Sequence, residues 1–127
     1  MAFEFDIDYI AEEKGHITAY IAVVHDLTRE QGCKVSELEN ESNFIGITVH
    51  SQAPGGRIAV RKGGIAWAKA ACAIEIGEPL VLAPDGLVMP AVCIHEPRLN
   101  CIGFANTGAN EKNGRLQVWI SPHQRVS

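Results

Sequence analysis

One short phrase occurs twice in this chain, and it limits the fold more than any other feature. The first copy reads Phe44-Ile45-Gly46-Ile47, then a polar run, then Gly56-Arg57-Ile58-Ala59-Val60. The second reads Cys101-Ile102-Gly103-Phe104, then a polar run, then Gly114-Arg115-Leu116-Gln117-Val118. From Gly46 to Arg57 is 11 positions and from Gly103 to Arg115 is 12, so one residue added to the polar loop accounts for the difference. The match extends upstream. The apolar run 20–24, a turn and Cys33-Lys34-Val35 answer to the run 79–83, Pro84-Asp85-Gly86 and Leu87-Val88-Met89. The chain therefore reads as two copies of one β unit of about 45 to 55 residues, a period at which repeat architectures arise. Two copies are too few for an open solenoid and point to a closed, pseudo-symmetric fold.

Before the first copy lies an extended N-terminal arm, residues 1–15. Phe3, Phe5, Ile7 and Tyr9 alternate with Glu4, Asp6 and Asp8. That period of two marks a half-buried strand. Four large apolar side chains on one face need a surface, either their own domain or a neighbouring chain reached by strand addition. Residues 1–13 carry five acidic side chains and no basic one, while the rest of the chain is nearly neutral.

After the arm, a single domain is expected over 16–127, with the repeats at about 16–67 and 74–121. Strands are expected at 17–24, 44–50 and 57–61, with Lys62-Gly63-Gly64 turning the chain into a further strand at 65–68. Glycines 46 and 103 suggest close strand packing or a bulge, and Gly63-Gly64 suggests positive φ. The stretch 26–43 is ambiguous: Thr28 and Gln31 have the spacing of a capping box, with room for one helical turn at most, while 33–38 also reads as a strand and 39–43 as a turn by composition. Pro84-Asp85-Gly86 between two apolar runs signals a hairpin. The last strands fall at 99–105 and 115–120, with Pro122 ending the ladder and a loose tail after it. Nine or ten short strands with turns every 8–12 residues indicate an all-β barrel or sandwich.

Motifs for chemistry are missing. His25-Asp26 and His95-Glu96 are adjacent pairs, but neighbours on a strand point to opposite faces and make no dyad. There is no His-x-His, Gly-x-Ser-x-Gly, P-loop or Cys-x-x-Cys pattern. No catalytic, metal or cofactor residues are assigned, and the four cysteines are expected to act as small buried apolar groups. Without a basic stripe, nucleic acid is not an expected partner. No apolar run approaches a membrane span, and no secretory leader is visible, so synthesis in a cytoplasm is expected. Trp67 and Trp119 read as core or, for one of them, as an interface anchor. Arg57, Arg61 and Lys62 read as solvated charges or as the seat of a neighbour's acidic arm.

The run Ile76-Gly77-Glu78-Pro79-Leu80-Val81-Leu82 followed by Asp85-Gly86-Leu87-Val88-Met89-Pro90-Ala91 resembles a phrase typical of tailed-phage head decoration (cement, or capsid-stabilising) proteins. So do Cys101-Ile102-Gly103-Phe104-Ala105, the loop with Gly114, and the closing Leu116-Gln117-Val118-Trp119-Ile120. The resemblance covers roughly 16–121 and departs at 26–43, which is longer and more charged than a short hairpin. It implies a non-enzymatic structural virion protein on the outer surface of the expanded capsid. Such a protein clamps subunits of the major capsid protein as a homotrimer. Phe3, Phe5, Ile7, Tyr9, Arg57, Arg61 and Trp67 are the candidate interface residues. The competing readings are a tail or fibre-base component, a β module binding a sugar or small ligand, and an enzyme.

Overall fold

The computed structural model describes residues 5–12, 17–51 and 55–126. Among these are nine strands: β1 (Phe5–Ala11), β2 (Ala22–His25), β3 (Gly32–Val35), β4 (Phe44–Thr48), β5 (Arg57–Lys69), β6 (Pro79–Leu82), β7 (Val88–Pro90), β8 (Arg98–Ala105) and β9 (Arg115–Val126). Two 3-10 turns, Pro84–Gly86 and Ala91–Cys93, complete the regular structure. The strands join in the order β1-β3-β2-β4-β5-β9-β8-β6-β7, and β1 pairs again with β5. That last pairing closes a five-stranded barrel from β1, β3, β2, β4 and the first half of β5. The all-β fold built from two similar units is thus the observed one.

The repeat is structural as well as textual. In the first unit β2 pairs with β3 and β4, β4 with β5, and β1 lies antiparallel to β5 and parallel to β3. In the second, β6 pairs with β7 and β8, β8 with β9, and the second half of β5 lies antiparallel to β9. A parallel bridge from Ala70 to Val88 stands where Ile10 and Ala11 meet Gly32 and Cys33 in the first unit. Even the register agrees. Val23 faces Gly46 and Ala22 faces Ile47; Leu80 faces Gly103 and Pro79 faces Phe104, with a bulge beside each glycine's partner. A Cβ on Gly46 would lie 2.1 Å from the Arg61 carbonyl oxygen, and one on Gly103 would lie 2.0 Å from that of Trp119. Only glycine lets the backbones come so close.

Three sequence expectations change, the first being the strand at 17–24: a turn with Tyr20 at φ 66° comes before it, and the strand begins only at Ala22. Lys62-Gly63-Gly64 makes no turn: β5 runs unbroken from Arg57 to Lys69, serving the first unit with one half and the second with the other. Gly64 has φ 79°, which lets the strand swing from the first unit to the second without stopping. Pro122 does not end β9, which continues to Val126 against residues 98–101 of β8. A proline, having no N–H to donate, is accepted on a strand whose other edge is open. In the stretch 26–43, left open between a helical turn and a strand, the strand forms as β3 with a turn on each side. The repeat units are therefore longer than the matching text, because β1 opens the first and the second half of β5 opens the second.

Three apolar clusters form the core. Tyr9, Ile17, Val23, Cys33, Ile45, Ile58 and Val60 fill the first barrel. The second unit's Leu80, Ile102, Leu116, Val118 and Ile120 form one continuous cluster with Ala22, Val24 and Ile47 of the first. Val81, Leu99 and Cys101 on the far side of β6 and β8 pack under Ala91 and Ile94. Two buried polar residues bind the seam between units. Ser36 Oγ donates to the Ala83 carbonyl at 2.8 Å. Asn40 donates from its side chain to the Arg98 carbonyl and accepts from the Asn100 amide at 2.7 Å. Buried polar groups so satisfied fix which faces meet.

Candidate interaction surface

The acidic N-terminal stretch finds its partner on its own barrel. β1 pairs along β5 from Phe5–Gly63 to Ile10–Arg57. On its outward face Asp6 accepts two hydrogen bonds from Arg61, Nε–Oδ1 at 2.9 Å and Nη2–Oδ2 at 3.3 Å. On the other face Tyr9 is buried and its hydroxyl accepts from Lys62 Nζ at 2.8 Å. The surface that takes up Tyr9 and Ala11 is the chain's own barrel. Phe5 and Ile7, on the same face, remain 50% and 44% exposed at the barrel mouth. Phe3 lies outside the described residues.

Of the other candidates, Arg57 is exposed and Arg61 is occupied by Asp6. Trp67 is 45% exposed on the outward face of the second sheet. There it has company that the candidate set left out. Trp119, 53% exposed, sits opposite Ile65 on one side and Phe104 on the other. The Phe104 ring stacks on His123 with centroids 5.2 Å apart, and the Arg125 guanidinium lies 5.5 Å over it. A shallow apolar groove between Gly77, Phe104, Asn106 and Trp119 completes the patch. Neither tryptophan is core. The signal was present in the alternation: Arg115, Gln117 and Trp119 share one parity, and Leu116, Val118 and Ile120 share the other.

The titratable groups follow their burial. Burial, with Glu12 nearby, pushes the Cys33 thiol up to about 11. Burial also raises Cys72 and, against the pull of Arg125, Cys101. A hydrogen bond from the Thr28 hydroxyl lowers Asp26. All four cysteines are free thiols. Among the described residues no three His, Cys, Asp or Glu side chains are grouped to hold a metal ion, and no helix is long and apolar enough to cross a membrane. What this surface offers is contact: aromatic side chains at the barrel mouth and on the second sheet, edged by charge.

No protein family model matches the chain. No curated protein matches it either. Among solved structures, the N base of head fiber gp8.5 of bacteriophage phi29 superposes with a TM-score of 0.66. The overlay covers 94% of this chain and 95% of that one at 19% sequence identity, a likeness of fold along nearly the whole length of both.

Proposed function

We propose that this chain is a non-catalytic structural protein of a tailed-phage virion, bound to the outside of the expanded capsid. In this reading it stabilises the shell by clamping subunits of the major capsid protein as a homotrimer. The observation that carries it is the end-to-end fold likeness to a phage head protein. The exposed aromatic surface supports it: a clamp needs contact area, and burying a large apolar side chain contributes about 1.5–3 kcal/mol before the ordering cost. Repetition around a shell multiplies modest single-site energies through avidity.

A second reading, the base of a head fibre, is favoured by what the phi29 protein's name says of that protein. Both readings place the chain on the capsid exterior. Co-sedimentation with expanded, undecorated shells and with unexpanded procapsids tests them. Saturable binding at a fixed ratio to expanded shells alone is the expected result. Binding to neither shell overturns both and returns weight to a tail component or a ligand-binding module.

A further inference from the structure

Part of each half of the seam inside this chain has a counterpart left open elsewhere on the molecule. Val81 and Cys101, which answer to Val24 and Phe44, are by contrast covered by Ala91 and Ile94 of the same chain. One side of the seam is the outer face of β2 and β4, where Ala22 and Ile47 are completely buried against the second unit. Its counterpart on β6 and β8 is Pro79 and Phe104, paired in the same register yet only half-buried. The other side of the seam includes Ala66, which pairs with Val118 and is buried in the shared cluster. Its counterpart is Ile7, which pairs with Val60 and stands exposed. The connecting segments repeat the pattern. The turn at Pro84–Gly86 hydrogen-bonds to Ser36 across the seam. The corresponding turn after β2 exposes Leu27, and the segment corresponding to that of Ser36 exposes Val92.

We infer that a second copy of this chain covers these faces. The Pro79–Phe104 face of one copy seats at the Ile7 mouth of the next, as the first unit seats on the second within each chain. Charge supports the pairing. Exposed Asp8 stands beside Ile7 on the rim of the mouth, and Phe104 is flanked by Arg125 and His123. The contact joins unlike surfaces head to tail, so it closes into a ring or runs on as a filament. This deepens the self-association in the proposed function by assigning its surfaces.

The test uses the isolated full-length chain, measured by size-exclusion chromatography with light scattering at submillimolar concentration. Wild type is expected above single-chain mass. Ile7→Glu and Phe104→Glu, both at exposed or half-buried positions, are each expected to run as monomers with unchanged circular dichroism. An equimolar mixture is expected to give a one-to-one dimer and nothing larger, because one variant keeps the mouth and the other keeps the face. Should either variant unfold, Asp8→Arg and Arg125→Glu replace the pair with the same expected pattern. A monomeric wild type, single variants of wild-type size, or folded variants that do not recombine would overturn the inference. An intact oligomer that ignores expanded shells would instead overturn the capsid reading alone.

Discussion

Ile47 and Phe104 hold the same place in the two units, one opposite Ala22 and the other opposite Pro79, yet Ile47 is wholly buried and Phe104 only partly so. Identical register with unequal burial separates a residue that stabilises the chain from one available to a partner. Ile47→Ala is expected to lower unfolding free energy by about 2–5 kcal/mol, the usual cost of emptying a core position. Phe104→Ala, measured on dilute monomer, is expected to cost about 1 kcal/mol or less. Urea denaturation of both variants checks this. Equal losses would mean that the two positions are equally structural.

Gly46 and Gly103 carry the same constraint in both repeats, so Gly46→Ala and Gly103→Ala are expected to fail alike. An added methyl at 2.1 or 2.0 Å from a carbonyl oxygen forces two strands apart. A loss of roughly 3 kcal/mol or more is expected for each, beyond ordinary overpacking. Thermal melts that leave either variant within a degree of wild type would contradict the close approach.

The Arg61–Asp6 pair tethers β1 from its outward face, with both side chains partly exposed. Solvent screening limits what it contributes, about 0.5–1 kcal/mol in a double-mutant cycle of Asp6→Asn and Arg61→Met. The coupling is expected to shrink at high salt. Amide exchange along residues 5–8 should quicken in either single variant, while the core of the second unit stays protected.

Removing residues 2–10 is expected to destabilise the first barrel rather than trim a loose arm. The deletion takes away Tyr9 and nearly all of the β1–β5 closure. Broadened or non-cooperative unfolding by circular dichroism is the expected outcome. A truncated chain as stable as the full one would show that the barrel holds without its closing strand.

Thiol chemistry reports the same burial. The thiolate is the nucleophile, and with the Cys33 group pushed up to about 11 almost none of it is ionised at pH 8. Iodoacetamide is expected to modify exposed Cys93 first and to spare Cys33 until the protein unfolds. Mass spectrometry over time distinguishes the order.

By itself, the sequence determined the strand period, the twofold repetition and the turn at Pro84–Gly86. All of these are local: alternation is set by the pleat, and a turn by the φ its residues accept. It also held the outward parity of Trp67 and Trp119. The tertiary structure decided three things. It closed β1 onto β5, it carried β5 through Gly64 and β9 through Pro122 where local rules placed breaks, and it chose which apolar faces are covered. The physical reason is that period two tells which side of a strand is apolar but not what lies against it. Ile47 and Phe104 read alike in the chain. Only the packing of one unit on the other buries the first fully and leaves the second partly open.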